Sequence, residues 1–180
     1  GFYLEDDYIL QNDLNDLFQT LELKNLKLDT LTSINEKITS IQNRLTNNPN
    51  LYSPEVKKYV EDALVTAIKQ RDQFVNIYNK INSTYTDDTK LNLKPEINQE
   101  YLNNLLNDIN QVTNEAFKND FIQKYTELNR IYELRKEGQS KKEEYALIAE
   151  EKKKQIDLLN YLTDEEKQNY KDRITDELDK

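Results

Sequence analysis

The chain has 180 residues, of which 36% are hydrophobic and 33% charged, with a formal net charge of -9 and a mean hydropathy of -0.95. Cys, His, Met and Trp are absent, which excludes a disulfide framework, a thiolate nucleophile and a transition-metal or haem site built on Cys or His. Acidic residues outnumber basic ones by 34 to 25, so the chain lacks the cationic surplus that a phosphate backbone or an anionic lipid surface demands.

No apolar run approaches the roughly 18–20 residues of a membrane span, so direct membrane insertion is not expected. The opening residues include Glu5, Asp6 and Asp7 and lack the basic and apolar regions of a secretory leader. With no Met anywhere and Gly1 at the front, the sequence reads as an excised internal fragment of a larger chain.

Only 2 Gly and 3 Pro are present. A chain this poor in turn-forming residues has few places to reverse, which predicts long helices and almost no strand. A composition this polar supports thin helices that each bury one stripe, not a thick core.

Leu10, Leu14, Leu17, Leu21, Leu28, Leu31, Ile34, Ile38, Ile41 and Leu45 recur at heptad-like spacing. They predict one helix from about Tyr3 to Asn47, roughly 65 Å long at 1.5 Å per residue, with a bend near Asn25–Asp29. Asn47-Asn48-Pro49-Asn50 stops it. Ser53-Pro54-Glu55 starts the next helix with a hydroxyl cap, a proline at the first helical position and an acid at the positive end of the dipole. Val60, Leu64, Ile68, Val75, Tyr78 and Ile81 form its stripe, and it should end near Asn82.

Residues 83–94 form the longest connector. It opens on Asn82-Ser83-Thr84, a sequon-like triplet common by chance in an Asn-rich chain. Pro95-Glu96 opens a third helix, with a stripe from Leu102 through Leu105, Ile109, Val112, Phe117, Phe121, Tyr125 and Leu128 to Leu134. Gly138-Gln139-Ser140 is the expected break, although a lone glycine costs only ~1 kcal/mol inside a helix and a continuous rod is the alternative. Ser140–Glu143 and Thr163–Glu166 match capping boxes. They open a fourth helix carrying Tyr145, Ile148, Lys152, Ile156 and Leu159, then a short last one with Tyr170, Ile174 and Leu178.

The expected fold is all-α: an elongated antiparallel bundle of three long helices over 1–137, followed by a highly charged helical hairpin over 138–180 that docks on it or projects from it. No clean internal repeat is visible. The stripes are equally compatible with oligomerisation through coiled-coil contacts.

No catalytic, metal or cofactor site is expected. The adjacent acids Asp6-Asp7, Asp87-Asp88 and Glu165-Glu166 lack the glycine and ligand spacing of a calcium loop. Tyr is abundant, 12 against 5 Phe, and serves both as bundle core and as a recognition residue. Tyr59, Tyr78, Tyr125, Tyr132 and Tyr145 lie on or beside apolar stripes and read as core. Phe2, Tyr3, Tyr8, Tyr52 and Tyr85 lie near the start or in connectors. From these, Phe2, Tyr3 and Tyr8, together with the Leu51-Tyr52 corner, are the candidate protein-binding residues.

The stretch from Tyr161 to Ile174, opening Leu162-Thr163-Asp164-Glu165-Glu166-Lys167, resembles the helix openings of small helical modules in Gram-positive cell-wall-anchored surface proteins, of the albumin-binding and related three-helix types. The resemblance covers only this stretch, and no ligand-binding residue carries over. It implies an extracellular, cell-surface location and a host extracellular protein as partner. The expected function is therefore a non-catalytic host-protein-binding module in adhesion or immune evasion. A structural spacer, or coiled-coil stalk, displaying another domain is the alternative.

Overall fold

A computed structural model describes residues 4–179. It contains six helices: α1 (Leu4–Asn15), α2 (Leu31–Asn47), α3 (Pro54–Asn82), α4 (Gln99–Asn110), α5 (Glu115–Asp157) and α6 (Asp164–Leu178). Among the described residues there is no strand, only two isolated antiparallel bridges. The all-α expectation therefore holds, whereas three long helices are replaced by six of very unequal length. The chain divides into two compact units, one running to Leu128 and one starting at Asn129, inside α5.

The single helix expected over the first 47 residues is two helices. Between α1 and α2 the chain forms a hairpin-like loop, in which the Gln19 N–H donates to the Asn25 carbonyl and the Lys27 N–H to the Leu17 carbonyl, both at 2.9 Å. Phe18 bridges Leu26 across it, and Leu23 turns the corner with φ 54°. The helical spacing of the leucines is misleading here. Leu17 and Leu26 are buried, but Leu21 and Leu28 are exposed, at 76% and 48%. Thr30 then caps α2 by accepting from the Ser33 N–H, while Asp29 accepts from the Ser33 hydroxyl at 2.7 Å.

The expected turn between α2 and α3 is present, with Ser53 as N-cap and Pro54 as the first helical residue. After α3 the chain repeats the first loop. The Thr86 N–H donates to the Asn92 carbonyl at 2.9 Å and the Lys94 N–H to the Thr84 carbonyl at 2.8 Å, while Tyr85 bridges Leu93 and Lys90 turns the corner with φ 58°. Each loop carries Asn-Leu-Lys at the same place, Asn25–Lys27 and Asn92–Lys94, with the leucine buried. An internal repeat is thus present after all. The third expected helix is also split: Asn98 caps α4 through the Tyr101 N–H, and Asn114 caps α5 through the Phe117 N–H.

α3 is the common spine of the first unit. Along its first half lies α2, running antiparallel: Asn35 near the start of α2 meets Arg71, while Leu45 near its end shares a depression with Leu64 and Ile68. α1 joins this set through the Asp13–Arg44 ion pair with α2 (2.6 Å) and through the Asp7 carboxylate, which accepts from the Ser53 N–H. The second half of α3 takes α4, through Lys80–Asp108 (2.8 Å), and through the Phe74 ring it meets the opening of α5. There Phe74 packs edge-on against Phe117 and tilted against Phe121, with ring centres 5.0 and 5.2 Å apart. One helix therefore closes the first three-helix set and opens the second.

Where the two sets meet, the buried amides of Gln70 and Asn114 form a network that the exposed Gln19 joins from outside. The Gln70 Oε1 accepts from the Leu26 N–H at 2.9 Å, and its Nε2 donates to the Lys24 carbonyl at 2.6 Å. Asn114, fully buried, donates through Nδ2 to the Leu26 carbonyl at 2.9 Å and to the Gln70 Oε1 at 3.1 Å. Gln19 Nε2 donates to the same Leu26 carbonyl and to the Asn114 Oδ1. Among the described residues no buried side-chain polar atom lacks a partner, so the network is closed.

The second unit is of another kind. α5 runs unbroken through Gly138 and ends at Asp157; residues 158–163 turn the chain, and the Thr163–Glu166 capping box opens α6 as expected. Asp157 holds the turn, pairing through its carboxylate with Lys171 and accepting at its backbone carbonyl from the Lys167 ammonium at 3.0 Å. Among its described residues only Ala149 is buried.

Candidate functional site

The residues singled out for protein binding divide sharply. Phe2 and Tyr3 lie outside the described residues. Tyr8 is exposed on α1 at 67%, beside Leu4 and Ile9, and Leu51 is partly exposed at 39%. Tyr52 is buried, at 5%, which corrects its assignment as a surface residue. It turns inward where the start of α1 meets the α2–α3 corner, and burial, reinforced by Asp6, Asp7 and Asp13, raises its pKa above the ordinary value despite Arg44 nearby. Tyr85, in the second loop, is also buried, and its pKa is raised for the same reason.

The opposite correction applies on the helices. Tyr59 and Tyr145, read as core from their stripes, are exposed at 47% and 58%. A tyrosine on a stripe is buried only if a neighbouring helix covers that stripe.

That condition fails most clearly in the second unit. α5 and α6 enclose an open groove of about 560 Å³. Its floor is apolar: Tyr145, Ile148 and Ala149 come from α5, and Ile174 and Leu178 from α6. The spacing of three and four residues places each group on one face of its helix. Ile148 is 45% exposed and Leu178 39%, so the stripe is open to solvent where it would ordinarily be covered. Lys142, Lys152 and Arg173 line the rim against one acid, Glu177. Arg173 is steadied by the Tyr170 ring, 5.6 Å from its guanidinium carbon. A locally cationic groove thus stands in a chain of net charge -9.

The periodicity of Tyr145, Ile148, Ile174 and Leu178 was visible in the sequence, but the basic rim was not. Lys142, Lys152 and Arg173 come from two helices and converge only when the hairpin forms.

Other features offer less. The depression lined by Asp13, Asp16, Glu36, Lys37 and Arg44 holds a ladder of ion pairs, with Arg44 on Asp13 and Lys37 3.4 Å from Asp16 and 3.6 Å from Asp29. Asp29 has a lowered pKa because the Ser33 hydroxyl and the Thr30 N–H stabilise its carboxylate, which is the signature of a helix-start acid. Among the described residues no group of three or more acidic side chains is placed to hold a metal ion, and no helix is long and apolar enough to cross a membrane. The Thr84 hydroxyl of the sequon-like triplet is fully buried and donates to the Ile81 carbonyl.

Comparison with protein-family models, with curated proteins and with solved structures yields no match.

Proposed function

We propose that the chain is a non-catalytic protein-binding module whose contact surface is the groove between α5 and α6. The observation that carries this reading is the contrast between the two units. The first closes a core in which Leu10, Leu14, Ile38, Leu102, Ile109 and Phe121 are all fully inaccessible, whereas the second keeps an apolar stripe open. Helical stripes are stable when covered, and an uncovered one rimmed by charge marks an interaction surface. The resemblance at 161–174 supports a bacterial cell-surface setting and a host extracellular protein as partner.

A second reading, a spacer, draws on the first unit. There α3 is shared between two three-helix sets joined by matching loops, as in arrays that propagate by sharing elements. The two readings differ in what they require of Ile148 and Ile174.

The test is capture from human plasma by the immobilised chain at physiological salt, beside an Ile148→Glu/Ile174→Glu variant. Both positions are at least partly open, so circular dichroism should be unchanged. A protein retained by the wild type and lost by the variant supports the binding module. Retention by neither favours the spacer, and equal retention by both overturns the groove as the contact surface.

A further inference from the structure

We infer that the α5–α6 groove receives an acidic amphipathic helix from another protein, which docks as the third helix of that set. The inference rests on the binding-module reading and names the partner's chemistry.

The first argument is the repeat within the chain. The pair α1–α2 is covered by α3, which contacts both helices and buries Val60 and Leu64; the Phe74 face of α3 is covered in turn by the opening of α5, which brings Phe117 and Phe121 against it. In both cases the covering element is a single helix with its own polar N-cap, Ser53 or Asn114. The pair formed by α5 beyond Asn129 and α6 presents the same kind of stripe, with Tyr145, Ile148, Ile174 and Leu178, and among the described residues nothing covers it. The missing element is thus one helix wide, apolar on one side.

The second argument is charge. Three basic side chains against one acidic one face the incoming element. A second copy presenting this same groove would bring Lys142, Lys152 and Arg173 against their own equivalents, and like charges across an interface oppose association. A partner helix flanked by Glu or Asp turns the same rim into a favourable field and loses affinity when salt rises.

The probe is a pair of synthetic amphipathic peptides of roughly 20 residues, long enough for appreciable helicity. Both carry the same Leu and Ile stripe; one flanks it with Glu, the other with Lys. Binding to the whole chain is read by fluorescence anisotropy at low and high salt. The Glu-flanked peptide should bind about tenfold more tightly than the Lys-flanked one, as expected from several exposed pairs of a few tenths of a kcal/mol each. The variant Lys142→Glu/Lys152→Glu/Arg173→Glu should reverse that preference, and Ile148→Glu should abolish binding of either. Equal affinity for both peptides, a preference that survives the charge reversal, or no binding would overturn the inference. If the peptides fail while plasma capture still depends on Ile148 and Ile174, the acidic-helix partner is wrong and the binding module stands.

Discussion

Leu23 and Lys90 adopt the same left-handed backbone conformation, φ 54° and 58°, at the same step of two loops that share their hydrogen bonds and their Asn-Leu-Lys sequence. Neither is glycine, although this region costs an ordinary residue roughly 1–2 kcal/mol. Each is held there by the paired backbone bonds of its loop. Their equivalence is what reveals the repeat of the two loops.

That strain gives a first prediction. Lys90 is exposed, so Lys90→Gly relieves the backbone without loss of packing and should stabilise the chain by about 0.5–1 kcal/mol after the extra entropy of glycine in the unfolded state is counted. Lys90→Val should destabilise it, since a β-branched residue tolerates this region least. Urea unfolding of the two variants should move the midpoint in opposite directions.

The amide network gives a second. Gln70→Ala leaves the Leu26 N–H and the Lys24 carbonyl without their partner, and Asn114→Ala removes both a bond to the Leu26 carbonyl and the cap of α5. Each should cost about 2–4 kcal/mol. Since the two side chains bond each other at 3.1 Å, the double variant should lose less than the sum of the singles, a coupling that a double-mutant cycle in urea measures directly.

Gly138 gives a third. It sits inside α5 with nothing within 4 Å of the place a Cβ would occupy. Gly138→Ala should therefore increase helicity and stabilise this stretch by about 0.5–1 kcal/mol, seen as a rise in the far-ultraviolet helical signal and in local protection.

A fourth concerns alkaline pH. Burial raises the pKa of Tyr52 and Tyr85 above the ordinary value of 10.0. For a group raised in the folded state, the unfolded chain releases its proton first. Stability is therefore full below 10.0 and falls as pH rises from there through the higher folded value. Tyr52→Phe and Tyr85→Phe should each flatten that fall in urea titrations between neutral and strongly alkaline pH.

How much of this was legible in the sequence depends on where the determinants lie. The corner at Ser53-Pro54 and the start at Thr163 were correctly placed because cap, proline and capping box act within a few residues. The break after α1 was missed because leucine spacing continued through it, while the loop is held by Gln70 and Asn114, which are distant in the chain. Thr113-Asn114-Glu115 carried a cap signal hidden by the apolar series on either side. The repeat left only the short Asn-Leu-Lys echo. Burial of Tyr52 and Tyr85, and exposure of Tyr59 and Tyr145, reflect which faces find a neighbour, and that is a tertiary property. The groove shows the same division: its floor is periodic and local, its rim assembled across a turn.

Amide hydrogen exchange on the whole chain, free and saturated with the Glu-flanked helix, tests the central claim most directly. In the free chain, α6 and the part of α5 beyond Asn129 should exchange far faster than α3, since only Ala149 is buried there. Saturation should then slow exchange around Tyr145–Lys152 and Arg173–Leu178 while leaving α1 and α2 unchanged. Protection of α6 equal to that of α3 in the free chain, or no change at the groove on saturation, would contradict the account.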